Sequence, residues 1–143
     1  MNKLIAALRT ITSDNTGNYD EEYYDEEYPL AGEKVDGLEV TDNIPNRTSI
    51  SATFTDYKIL DGVREISMEG WNPKNYFYAK NDFDRSKELA EEIKRNGWID
   101  PLIIAIEANG NDDVYILEGG HRLVALHYIG AKAFPALVVI GYD

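Results

Sequence analysis

The sequence predicts a mixed α/β domain, and three stretches carry that prediction. Asp84 to Gly97 reads as a capped helix, Leu102 to Ala108 and Val114 to Leu117 as apolar strands joined by a turn, and His121 to Gly130 as a second helix leading into a last strand, Phe134 to Tyr142. The order helix, strand, strand, helix, strand suits a compact unit in which two main helices cover a small mixed sheet. With 143 residues the chain has room for one such core and not for two ordinary domains.

Taken in order, "KLIAALRTI" at residues 3–11 spaces Leu4, Leu8 and Ile11 as one face of a short helix. Nine residues make a marginal helix in water, so this segment needs a partner surface. "DEEYYDEEY", Asp20 to Tyr28, holds six acids and three tyrosines. It repels itself and has little to bury, which describes a solvated linker, and its spaced carboxylates also suit a basic protein partner. Residues 1–45 are therefore expected to form a short helix and an acidic, flexible segment, and residues 46–143 the folded domain.

The domain is expected to begin with a hairpin. Ile50, Ala52 and Phe54 alternate as in a strand, Asp61-Gly62 has turn composition, and Val63 to Met68 reads as the returning strand. In the next helix Asp84 is the expected N-cap, Leu89 and Ile93 stand four apart, Lys94 and Arg95 fall in the last turn, and Gly97 follows as the terminator. After Pro101, "LIIAIEA" is a buried strand, "NGND" a turn and "DVYIL" its hairpin partner. Gly130 closes the second helix, and "FPALVVIGY" is the final strand.

Composition excludes several classes of function. The net charge is −12, and no basic patch is visible to overcome repulsion from DNA phosphates, so unaided sequence-specific DNA binding is not expected. No cysteine is present, which removes disulfides, thiolate nucleophiles and cysteine zinc sites. The first twelve residues lack a secretory cleavage pattern, and no apolar run approaches the ~20 residues that span a bilayer. A cytoplasmic location with no membrane contact is the expectation.

The chemistry concentrates in "EGGHR", Glu118 to Arg122. Two glycines between a strand and a helix let the backbone approach an anion, and the first amides of the helix point outward without intrahelical partners. Arg122 adds a cation suited to phosphate oxygens, and His121 a group that donates a hydrogen bond or moves a proton near neutral pH. Glu118 is placed to hold a metal ion or to act as a general base. The same five residues also suit a plain tight turn with an arginine paired to a nearby acid; no Walker or dinucleotide fingerprint is present. His121 and His127 lie on different faces of their helix, which argues against a zinc pair and leaves His127 a structural residue.

Residues 72–143 resemble the ParB/sulfiredoxin superfamily. The resemblance rests on "ELAEEIKRNG", "IDPLIIAI", "VYILEGGHR", "LVALHYIGA" and "FPALVVI", in that order and spacing. It implies a compact α/β domain that binds a nucleoside di- or triphosphate (ATP, ADP or CTP) with Mg²⁺. The phosphates would meet Gly119, Gly120, His121 and Arg122. Arg85 would fall where sulfiredoxins have a basic nucleotide contact, and Pro101 and Leu102 near the base or ribose. Gly120 stands where sulfiredoxins have their reactive cysteine, so sulfinic-acid reduction is excluded. ParB clamps carry nucleotide and helix-turn-helix regions after this domain, and with the sequence ending at Asp143 partition-type sequence-specific DNA binding is not expected. Related free serine kinases place an acid just before the box, as Glu118 is placed, and this keeps phosphoryl transfer open.

The expected function is therefore hydrolysis of a nucleoside phosphate, or transfer of its phosphoryl group to an acceptor, with Glu118 and His121 catalytic. The alternative is a non-enzymatic nucleotide-sensing or partner-binding module. A third reading is a ParB-like nuclease, against which the negative charge and the lack of clustered carboxylates both count.

Overall fold

The computed structural model describes residues 32–71, 80–108 and 113–143. The expected helix at 3–11, the acidic segment at 20–28 and the turn at 109–112 lie outside the described residues. The elements are β1 (Lys34–Val35), β2 (Leu38–Val40), α1 (Ser49–Thr53), β3 (Tyr57–Ser67), α2 (Lys80–Asn96), β4 (Trp98–Ile99), β5 (Leu102–Glu107), β6 (Val114–Glu118), α3 (Gly120–Ile129) and β7 (Ala133–Gly141). They build a four-stranded sheet of order β3-β7-β5-β6 and a three-stranded ribbon of order β1-β2-β4. This is the mixed α/β architecture that the sequence predicts, with two main helices.

β5 and β7 run parallel at the centre of the larger sheet, while β6 and β3 flank them antiparallel. Their side chains divide by alternation. Leu102, Ile104 and Ile106 join Phe134, Val138 and Ile140 under α2 and α3, while Ile103, Ala105, Leu137 and Val139 pack with Ile50 and Phe54 on the opposite face. Both faces are covered, which is why these strands read as continuous apolar runs rather than alternating ones.

The N-terminal hairpin expected at Ile50 to Met68 is not formed. Ile50 lies in the single-turn helix α1, and Tyr57 to Ser67 is one edge strand rather than two strands joined by a turn. Ile50 and Phe54 are also one helical turn apart; both are buried, and Ala52 between them is exposed. Asp61-Gly62 is a bulge. The register passes from Ile59↔Val139 to Val63↔Leu137, so β3 spends four steps where β7 spends two, and Gly62 sits at φ +78°. A glycine at positive φ serves a bulge as well as a tight turn; the long partner β7 decides between them. Arg64, near this bulge, is buried, and its guanidinium donates to the Asp61 carbonyl at 3.2 Å.

A tight hairpin does occur upstream. β1 and β2 turn through Asp36-Gly37, both at positive φ, and β2 then pairs in parallel with β4. The Asp36 carboxylate ties this ribbon to the larger sheet by accepting from the amides of Lys132 and Ala133.

α2 begins at Lys80, a full turn before Asp84, so Asp84 is not its N-cap; Asp82 is the acid of the first turn. The start is reinforced by Ser86, fully buried, whose hydroxyl donates to the Asp82 carbonyl at 2.9 Å. The C-terminal features hold as expected, with Lys94 and Arg95 in the last turn and the Gly97 amide donating to Ile93 at 2.9 Å. No helix among the described residues is long and apolar enough to cross a membrane.

In β6, the position of Tyr115 has a consequence for pH behaviour. Burial, a hydrogen bond to the Glu107 carboxylate and the nearby charges of Glu107 and Asp113 push its phenol up to about 12. Because the folded value lies above the unfolded one, this stabilisation is present below about pH 10. It is lost as pH rises through about 12. Alkaline absorbance titration should show one tyrosine ionising late in wild type, and that component should vanish in Tyr115→Phe.

Candidate functional site

The strand β6 ends at Glu118, and the chain enters α3 through Gly119, at φ +105° and ψ 22°. This left-handed conformation is open to glycine and strained for other residues. Space imposes the same choice: a Cβ on Gly119 would lie 2.7 Å from Leu102 Cγ and 3.0 Å from one Arg122 terminal nitrogen. Helical bonding begins with the Leu123 amide donating to the Gly119 carbonyl at 2.9 Å, and the N-cap position, being glycine, supplies no side-chain cap. The amides of Gly120, His121 and Arg122 therefore have no intrahelical partner and lie at the positive end of the helix dipole.

The flanking side chains are held from three directions. Glu118 Oε1 accepts from Asn46 Nδ2 at 3.0 Å. His121 Nε2 lies 3.3 Å from Asp82 Oδ1, joining the first turns of α3 and α2. Arg122 Nη1 donates to the carbonyls of Asp100 at 2.8 Å and Pro101 at 2.5 Å. Burial lowers the Arg122 pKa, and the charges of Asp100 and Glu118 partly oppose that shift. The guanidinium remains a cation. Asp100 is fixed in turn, with Thr41 Oγ1 donating to its Oδ1 at 2.5 Å and Asn43 Nδ2 to its Oδ2 at 3.4 Å.

Of the residues singled out in the sequence, the structure brings together Glu118, Gly119, Gly120, His121, Arg122, Pro101 and Leu102. Leu102 is the floor beneath Gly119, and the Pro101 carbonyl is an anchor for Arg122. Arg85 is exposed on α2, three residues past Asp82, and no hydrogen bond joins it to the others among the described residues. His127 is exposed at the far end of α3, edge-on to Tyr128. Asp82, Asn46 and Asp100 are not visible as site residues from the sequence. Asp82 carries only a first-turn acidic signal, and Asn46 none.

Among the described residues no group of three or more histidine or acidic side chains is arranged to hold a metal ion. Arg122 also walls a cavity of about 110 Å³ between α2 and β4, shared with Leu89, Glu92, Ile93, Trp98 and Asp100.

Fold and junction together define an α/β domain whose distinctive feature is a glycine-led helix start flanked by polar side chains. Residues 53–141, more than half of the chain, match the model of the ParB N-terminal domain, and the chain belongs to that family. It is also 34% identical over 59 residues to an ATP-dependent L-serine kinase of Staphylothermus marinus. That match takes in 41% of this chain and 23% of the kinase, so the chain corresponds to less than a quarter of that relative.

Proposed function

We propose that this protein binds a nucleoside phosphate at the Glu118–Arg122 junction and hydrolyses it or passes its phosphoryl group to an acceptor, ATP being the favoured donor. The observation that carries this reading is the start of α3, led by Gly119 at positive φ, where the first-turn amides have no intrahelical partner, with Glu118 just before the glycines and His121 in the first turn. Similarity to a protein named ATP-dependent L-serine kinase supports the choice of ATP and of transfer chemistry.

In such transfers positioning and charge neutralisation do most of the work. The first-turn amides would hold phosphate oxygens, and the Arg122 cation, fixed on the Asp100 and Pro101 carbonyls, would make the potential beneath them more positive. His121 would orient the transferred group or donate a proton, and Glu118 would take the proton of the attacking hydroxyl. Arg85 would meet the nucleotide from α2, and Pro101 and Leu102 would border the base or ribose. Alternatively Glu118 would hold Mg²⁺, an ion that, when bound mainly by phosphate oxygens, needs only one or two protein carboxylates. The ion would supply charge neutralisation.

The test is a titration of the purified protein with ATP, ADP, CTP and GTP, with and without Mg²⁺, following melting temperature and resolving nucleotide products. Ligand at one hundred times its dissociation constant should add about 2.7 kcal/mol of stability. Glu118→Gln should keep that shift and lose about 10²-fold or more in turnover. Retained turnover in this variant overturns the assignment of Glu118, and binding without product in the wild type points to a nucleotide sensor or to a transferase without its acceptor.

A further inference from the structure

Among the described residues two that are not glycine take positive φ, Asp36 at 48° and Asn46 at 56°. Asp36 belongs to the tight turn between β1 and β2. Asn46 is in no hairpin. It lies in the segment that leads from β2 into α1, and its carbonyl accepts from the Ser49 amide at 2.9 Å. Asparagine enters the left-handed region more easily than most side chains, and glycine enters it at lower cost still. The backbone therefore accounts for a residue that tolerates positive φ here, and not for the amide side chain.

That amide reaches the candidate site. Asn46 Nδ2 donates to Glu118 Oε1 at 3.0 Å, across 72 residues of chain. An amide nitrogen only donates and an ionised carboxylate only accepts, so the contact fits Glu118 in the form that can take up a proton. The segment carrying Asn46 is also fixed at its other end. The Thr41 amide donates to the Ile99 carbonyl at 3.1 Å, and the side chains of Thr41 and Asn43 both bond the Asp100 carboxylate. One short segment thus holds both Asp100 and Glu118, the two carboxylates whose charges act on Arg122.

Resting on the proposed function with Glu118 as the base, we infer that Asn46 is a positioning residue: its amide holds the Glu118 carboxylate in the orientation from which it takes the proton of the attacking hydroxyl. In that step the hydroxyl passes its proton to Glu118 as its oxygen bonds to phosphorus. The P–O bond to the leaving nucleoside phosphate breaks, and the leaving oxygen keeps the electron pair. Glu118 then releases the proton to solvent and is again the acceptor of the Asn46 amide.

Asn46→Gly removes the amide and keeps the backbone conformation, so it separates this role from a structural one. Its melting temperature should stay within a few degrees of wild type. Its kcat with ATP should fall about tenfold at unchanged KM, a part of what a general base contributes. Asn46→Asp has the same size and sets a second acceptor against Glu118. Its kcat should fall further, and the acidic limb of its pH–rate profile should move to higher pH, because facing carboxylates resist double ionisation. Ser51→Ala, on the exposed side of α1, where the hydroxyl bonds only the Thr48 carbonyl, should change none of these. In Asn46→Gly, an unchanged kcat, or a raised KM with intact kcat, overturns the inference.

The contact itself is read without nucleotide. In ¹H–¹⁵N spectra of the full chain, the side-chain amide of Asn46, assigned with Asn46→Gly, should respond to acid titration in the wild type and lose that response in Glu118→Gln. No response in the wild type, or one that survives in Glu118→Gln, overturns the hold on Glu118. Failure of the nucleotide reading has a different signature, an intact amide response in a protein that binds no nucleotide, and it removes the step in which Asn46 acts.

Discussion

Gly119→Ala is expected to destabilise the domain by about 3 kcal/mol, with backbone strain and core overpacking contributing in similar parts. Gly119 is at φ +105°, and its missing Cβ would stand 2.7 Å from Cγ and 3.2 Å from Cβ of the fully buried Leu102. Leu102 lies in the central strand β5, with Ala136 of β7 beside it, and has little room to retreat. The variant should also lose nucleotide binding beyond what its stability explains, because relief of the clash moves the first amides of α3. Urea unfolding combined with ATP titration checks both parts. A loss under about 1 kcal/mol with binding intact would show that the helix start tolerates a side chain and is not a built anion cradle. Leu102→Ala beside Gly119→Ala should relieve the overpacking and leave the backbone strain, so the pair should cost less than the sum of the singles.

Gly141→Ala should be costly for a different reason, again by about 3 kcal/mol or more. A Cβ there would lie 2.1 Å from Phe54 Cε1 and 2.3 Å from Cδ1, so the ring must leave its site. Phe54 is buried against Leu137 and Val139 and is the main cover on that face of the sheet, with Ile50. The cost of Gly141→Ala is therefore bounded by the cost of losing the Phe54 ring, about 3–5 kcal/mol for a buried phenylalanine. This makes a strict expectation for the double variant. Phe54→Ala with Gly141→Ala should be no less stable than Phe54→Ala alone, since the obstacle has been removed. Additive losses in thermal or urea unfolding would contradict the packing of α1 on the end of β7.

The two central strands and the C-terminal ends of both main helices are legible in the amino-acid sequence. β5 and β7 are covered on both faces, and that burial writes itself into the chain as unbroken apolar runs. Gly97 and Gly130 mark helix ends because positive φ there selects glycine over other residues. The Glu118–Arg122 box is legible because it is contiguous, with both glycines at a strand-to-helix junction. The hairpin expected over Ile50 to Met68 fails because its two signals have two meanings each. Apolar residues four positions apart serve a helix as well as a strand, and Asp-Gly serves a bulge as well as a turn.

The sequence by itself determined what is local: where the buried strands run, where the helices stop, and that an acid, two glycines, a histidine and an arginine meet within five residues. Tertiary structure alone decided what those residues touch. His121 meets Asp82 across 39 residues of chain, and Glu118 meets Asn46 across 72. Arg122 turns inward to the carbonyls of Asp100 and Pro101 because β5 passes beneath the start of α3. Such pairings depend on how α2, α3 and the ribbon pack on one sheet, and a residue's type and its near neighbours do not carry that information.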